Sequence, residues 1–268
     1  MKKRHFFLFF LWILVLTSCS DYQKLLKNPD AELKYSKAVE YFEKGDYARA
    51  ATLFDDVSAY FRGTSRSEDI LNYLAKCYMS QKDYMTASEY YKAYIKSYST
   101  GKYIEEARFM VGYCYYLDSP DPRLDQTSTY NALSAFQEFL DFYPESKRVP
   151  EVNKLIDELN DKLAYKYYLN AKLYYNLGNY MGNNYLSAVI TAENALKKYP
   201  LNSYREDLMF LILESKYAQA VQSIPDKKIE RYQNTIDEYY NYVNEFPQGK
   251  YKKQADKIFN ESKKIINY

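Results

Sequence analysis

The feature that most constrains this chain is a repeat kept in register. Ala38, Ala75 and Gly112 are spaced by 37 residues, and so are Tyr41, Tyr78 and Tyr115. Tyr47, Ala50 and Phe54 return as Tyr84, Ala87 and Tyr91. Within one unit, Leu71, Leu74, Ala75 and Tyr78 recur at helical spacing. Tyr84, Ala87, Tyr91 and Tyr94 do the same after a polar turn at Gln81 to Asp83. Each unit is therefore a helical hairpin, with small residues where two backbones must approach to about 8–10 Å. One such hairpin cannot bury its apolar face alone, so the units must stack.

A small residue, a tyrosine three later and then Tyr-x-x-Ala-x-x-x-aromatic resembles the tetratricopeptide (TPR) pattern, whose period is about 34 residues. Ala132, Phe136, Phe139 and Tyr143-Pro144 extend it to a third unit. The third unit is interrupted by SPDPRLDQ at 119–126, because Gly112 and Ala132 are twenty apart where twelve separate Ala75 from Ala87. Over 151–177, Val152, Leu155, Ile156, Leu159 and Leu163 make a stripe longer than one repeat helix, read as an extra helix or one long one. A fourth unit closes at Tyr199-Pro200. A fifth runs from about Tyr204 to Pro247 with a loop at Ser223 to Lys228. Ala255, Ile258, Phe259 and Ile265 mark a capping helix over 250–266. The expected fold is all-α, a TPR-like helical-hairpin solenoid of about five repeats plus a C-terminal capping helix. Repeats 1–3 fall in 31–144, and repeats 4–5 with the cap in 145–268.

Residues 1–18 carry Lys2-Lys3-Arg4 and an apolar run from Phe6 to Leu16, too short for a transmembrane helix of about 20 residues and typical of a secretory signal. Leu16-Thr17-Ser18-Cys19 resembles the bacterial lipobox, with an ordinary signal peptide and a chance cysteine as the alternative. Cys19 is then the lipidated mature N-terminus, followed by a tether over 19–30. Each buried methylene of its acyl chains contributes about 0.8 kcal/mol to membrane anchoring. Ser20 in place of the aspartate that marks inner-membrane retention favours the outer membrane, with the protein on its periplasmic side.

Removal of the signal lowers Lys+Arg from 37 to 34 against 35 acidic residues, a formal charge of −1. No basic nucleic-acid footprint remains. His5 and Trp12, the only histidine and tryptophan, leave with the signal. Without histidine the mature chain lacks the usual general base and the commonest metal ligand. No catalytic residue, metal or cofactor is expected, and the chain reads as non-enzymatic. Cys77 and Cys114 stand 37 apart at equivalent positions of adjacent repeats, where stacked helices hold Cα atoms near or beyond the disulfide limit of about 7 Å. They are expected as buried free thiols.

Most of the 34 tyrosines occupy the repeat frame, where core packing accounts for them. Positions on the first helices outside that frame form a candidate substrate-peptide groove: Tyr35 and Phe42, then Asn72 and Lys76, then Phe109, Tyr113 and Tyr116, with Val39 and Met79 beside them. Apolar walls and one cation suit an extended peptide or an aromatic chain terminus.

The lipobox, the short tether, five hairpins with an insertion ending in Asp125-Gln126, and the LAYKYYLNAKLYY helix followed by a Tyr-Pro close resemble the BamD family over essentially the whole mature chain. The resemblance implies a scaffold of the outer-membrane assembly (BAM) complex. Its partners would be BamA, on the C-terminal hairpins, and unfolded outer-membrane β-barrel proteins, on the N-terminal ones. The chain departs from some relatives at Thr191, where a basic residue is expected, so a BamA contact does not transfer to that residue. The other reading is a SusD-like or other TPR lipoprotein that captures glycan or partner proteins. Tryptophan, on which such proteins stack sugars, is missing from the mature chain.

Overall fold

The computed structural model describes residues 21–266; Cys19 and the signal lie outside them. After a helical segment at 21–26, eleven helices follow, and the described residues contain no strand. Six of them are α1 (Ala31–Glu43), α2 (Tyr47–Ser58), α3 (Ser65–Ser80), α4 (Tyr84–Ser97), α5 (Ile104–Asp118) and α6 (Thr127–Phe142). The other five are α7 (Val149–Leu177), α8 (Asn184–Lys198), α9 (Arg205–Val221), α10 (Pro225–Glu245) and α11 (Lys252–Ile266). The helices fold as TPR-like hairpins. They group into two compact units, one ending at Ser119 and resuming over Thr127–Ser146, the other made of Pro120–Gln126 with Lys147 onward.

In the first unit each helix packs on the next, α1 through α6. The turns explain why hairpins form. Gly45 sits at φ +78° and Lys82 at φ +62°, and the next residue, Asp46 or Asp83, accepts a hydrogen bond from the backbone N–H three positions on. A left-handed residue reverses the chain, and the aspartate satisfies a donor that the new helix would otherwise leave unpaired. Ala38, Ala50, Ala75, Ala87 and Ala132 are fully buried at the crossings, with Phe54, Tyr91 and Phe136 filling the space between. Gly112 takes the alanine position of the third hairpin because the Phe136 ring lies against it; a Cβ there would stand 2.5 Å from a ring carbon. The cores form where the repeat register puts them.

In the second unit α7 is one continuous helix of 29 residues ending at Gly178. Asn183 caps α8 as the aspartates cap α2 and α4. Leu208 through Leu213 are six consecutive buried residues, because α9 is packed by α8 and α10 and also meets α7 and α11. A helix apolar all round is a buried helix. The loop expected over Ser223 to Lys228 is shorter than that: α10 begins at Pro225. Proline suits the first helical position, where its missing N–H has no partner to lose. The final helix α11 buries Ala255, Ile258 and Ser262 and turns lysines outward.

Residues 120–126 leave the third hairpin and belong with the second unit. Gln126 is buried, and its side-chain amide donates to the Asp121 carbonyl oxygen at 2.9 Å. Lys166 on α7 donates to the Leu124 carbonyl at 2.6 Å.

Candidate functional site

The groove residues lie in the first unit, on α1, α3 and α5, and the structure sorts them. Phe109, Tyr113 and Tyr116 stack along α5, the first two rings 5.6 Å apart at 18° and the second pair 5.9 Å apart at 13°. Tyr113 and Tyr116 are half-buried. Phe109 is only 3% exposed and Asn72 6%. These two were expected on an open groove face, and they are floor and core instead: Phe109 meets the rings of Phe136 and Phe139 from α6.

Lys76 is not a free cation. Its amine lies 3.3 Å from a carboxylate oxygen of Glu106 and 5.7 Å from the centre of the Tyr103 ring. Tyr35 and Phe42 belong to a separate cluster. Tyr35 meets Phe54 and Phe61 edge-on, with the Arg66 guanidinium 5.0 Å from its ring centre. Phe42 meets Tyr47 and Tyr73, and Tyr73 stacks on Phe54 at 4.8 Å. Tyr73 thus seals the first two repeats together, a role that its place outside the repeat frame concealed. Burial, with Asp69 and Glu43 nearby, raises the Tyr73 phenol above its ordinary value.

Cys77 and Cys114 are buried and unbridged. Burial pushes both thiols up to about 12, so they stay protonated near neutral pH and are poor nucleophiles. Cys114 Sγ contacts Met79 Sδ at 3.2 Å. Among the described residues no group of three histidine, cysteine, aspartate or glutamate side chains is placed to hold a metal ion.

Carboxylates on α3 and α9 do something that sequence reading missed: they hold the loops that follow α4 and α10. Glu68 accepts from the Lys102 backbone N–H at 2.8 Å and from the Tyr94 hydroxyl, and Tyr94 in turn accepts from the Tyr103 N–H at 2.9 Å. Tyr103 Oη donates to Asp69 at 2.9 Å, and Lys102 pairs with Asp69 at 2.6 Å. The second unit repeats this set. Glu206 accepts from the Tyr242 hydroxyl at 2.7 Å, Tyr242 accepts from the Tyr251 N–H at 3.2 Å, and Tyr251 Oη donates to Asp207 at 2.6 Å. Lys250 pairs with Asp207 at 2.7 Å. The signal is Gly-Lys-Tyr at 101–103 and 249–251, each seven residues after the buried tyrosine, with Glu-Asp at 68–69 and 206–207.

The arrangement offers stacked phenol rings, a lysine shared between a carboxylate and a ring, and rigid helical supports. It can bind, and it presents no nucleophile paired with a base. The chain is similar to a protein of Aquifex aeolicus (strain VF5) provisionally named outer membrane protein assembly factor BamD, 27% identical over 237 residues, which are 88% of this chain and 74% of that protein. It is 21% identical to the outer membrane protein assembly factor BamD of Caulobacter vibrioides over 184 residues, 69% of this chain and 59% of the relative. Among solved structures it is similar to the TPR2AB domain of yeast Sti1 in its pHSP90 complex, with TM-score 0.41, 12% identity and coverage of 87% of this chain and 98% of that one. A TPR domain of P58(IPK) gives TM-score 0.40 at 16% identity, covering 94% and 67%. The YfiO family, described as outer membrane lipoprotein, matches residues 27–181. That is more than half of the chain, which therefore belongs to the YfiO (BamD) family of outer membrane lipoproteins.

Proposed function

We propose that the chain is a non-enzymatic scaffold that assists the assembly of β-barrel proteins at the outer membrane, anchored on the periplasmic side by acyl chains on Cys19. In this reading it docks on BamA through hairpins of the second unit and receives unfolded barrel substrates on the first. The observation that carries it is the family match over 27–181 together with relatives named as outer membrane protein assembly factors.

Substrate would meet the Tyr113 and Tyr116 rings, which continue the stack from the buried Phe109 and offer aromatic faces to the last side chain of a barrel strand. Lys76 would take the terminal carboxylate in exchange for Glu106. That exchange costs little, because both partners of the pair are about a third exposed and such pairs contribute roughly 0–1 kcal/mol. Tyr35 and Phe42, in their separate cluster, and the buried Asn72 fix the helices that carry the face.

The test is binding of a peptide ending in an aromatic residue with a free carboxylate. The Tyr113→Ala, Tyr116→Ala pair is expected to weaken it at least tenfold, about 1.4 kcal/mol, and to leave association with BamA intact. Tight peptide binding by the pair would move the substrate face elsewhere. Equal loss of both activities with helical content preserved would overturn the division of labour between the units.

A further inference from the structure

A trough in the second unit is built for a different ligand from the aromatic face. Two adjoining cavities of about 370 and 560 Å3 run between α8 and α10 over α9, and both are lined by Glu238 and Asn241. The floor is apolar: Val189, Met209 and Ile212 are buried beneath it. Gln219, Asn234, Asn241 and Asn244 project along it, and their side-chain amides make no hydrogen bond within the described residues. Each amide therefore offers a donor and an acceptor to a ligand.

The charges divide clearly. Lys216 is neutralised by Glu238 at 2.5 Å, and Arg205 by Glu245. Glu193 on one wall and Asp237 on the other are exposed carboxylates without an ion-pair partner. Arg231, which also lines the trough, donates to Ser223 Oγ at 2.9 Å, so the lining holds four acids against three cations and carries a net negative charge that disfavours an anion.

We propose that this trough binds an extended polypeptide segment of about six residues through its main chain, with one basic side chain held between Glu193 and Asp237. Free primary amides over an apolar floor match the alternating N–H and C=O groups of an extended chain. A helix, whose main-chain groups are already paired, gives them nothing to bind. Length agrees: Arg231 to Glu245 spans about 21 Å of helix at about 1.5 Å per residue, room for about six residues at about 3.4 Å each. The site is separate from the aromatic face of the first unit and does not rest on the function proposed for it.

The test uses the full protein in detergent and fluorescein-labelled pools of capped heptapeptides, lysine fixed at the centre and the other positions randomised, with binding read by fluorescence anisotropy. The lysine pool binds. A glutamate-centred pool and a backbone N-methylated lysine pool bind at least tenfold more weakly. Asn234→Ala with Asn241→Ala loses at least tenfold, at unchanged helical content because both side chains are exposed. Asn234→Leu with Asn241→Leu, which keeps the side-chain size and removes donor and acceptor without adding charge, also loses affinity. Glu193→Gln with Asp237→Asn abolishes the preference for lysine over glutamate, and Tyr113→Ala with Tyr116→Ala binds as the parent does. No binding of the lysine pool up to millimolar concentration overturns the proposal. So does equal binding of the N-methylated pool, unchanged binding by the Asn pairs, or loss in the Tyr113 and Tyr116 pair.

Discussion

The two units close their repeats in the same way and surface them differently. In the first, Glu68 and the Tyr94 hydroxyl receive the Lys102 and Tyr103 N–H groups; in the second, Glu206 and the Tyr242 hydroxyl share the Tyr251 N–H; in both, the loop tyrosine and lysine reach the adjacent aspartate. Above this shared closure the troughs diverge. In the first unit, α4, α5 and α6 enclose a cavity of about 340 Å3 lined by Lys92, Lys96 and Arg108 with a single acid, Glu138. Arg108 is taken up by Glu138 at 2.6 Å and by the Phe142 ring, whose centre is 3.7 Å away. The corresponding trough of the second unit adds amides and sets four acids against three cations. The difference teaches where such a chain is free to vary. Loop N–H groups turned inward must find acceptors wherever a repeat ends, whereas trough walls are set by whatever lies in them.

Equivalence of the two closures can be broken in steps. Tyr94 is 1% exposed and Tyr242 fully buried, so Tyr94→Ala or Tyr242→Ala removes a core ring and a hydrogen-bond hub together. Each is expected to cost about 3–5 kcal/mol, read in urea denaturation. A loss below about 1 kcal/mol in one with the full loss in the other would show that only one closure holds its unit together. The next step adds atoms. A Cβ on Gly101 would stand 2.4 Å from Tyr94 Oη, and one on Gly249 2.4 Å from a Glu206 carboxylate oxygen. Gly101→Ala and Gly249→Ala are each expected to cost about 1–3 kcal/mol, the range for forcing atoms into a packed site. Unchanged melting in either would mean that its loop sits loosely on the clamp.

The hairpins were legible in the sequence because they rest on small residues at fixed spacing: Ala38, Ala75 and Gly112 announce the crossings whatever surrounds them. The clamps were not, since Asp69 and Lys102 lie 33 residues apart while Asp207 and Lys250 lie 43 apart. A longer α10 breaks the period while preserving the contact. The candidate groove was legible in part. Helical periodicity puts Phe109 and Tyr113 on one side of α5, yet α6 decides that Phe109 is buried and Tyr113 is not. Nor does sequence reveal that the Glu106 carboxylate meets Lys76, because helix order gives the neighbour but not the reach of its side chains. Tyr73 gave no signal for the same reason: it lies outside the repeat frame and is still held between the rings of Phe42 and Phe54.

The finest step removes one oxygen from each closure. Tyr94→Phe and Tyr242→Phe keep the ring and delete the hydroxyl that links glutamate to loop, with an expected cost of about 1 kcal/mol each near neutral pH, the net worth of a hydrogen bond. The pH dependence separates this loss from ordinary repacking. Burial first, and then the adjoining Glu68 or Glu206, raises both phenols well above their ordinary value. A group whose pKa is higher in the folded state contributes stability that is complete below the unfolded value, about 10 for tyrosine, and that declines as pH rises towards the folded one. Parent and phenylalanine variants should therefore differ most from pH 7 to 9 and converge above pH 10, measured by urea denaturation at both ends of that range. A gap that stays constant with pH would mean that the hydroxyl contributes by shape alone. A gap that closes for Tyr94 and not for Tyr242 would mean that two closures alike in geometry differ in electrostatics, the unit with the acidic trough holding its proton through a different balance of charges.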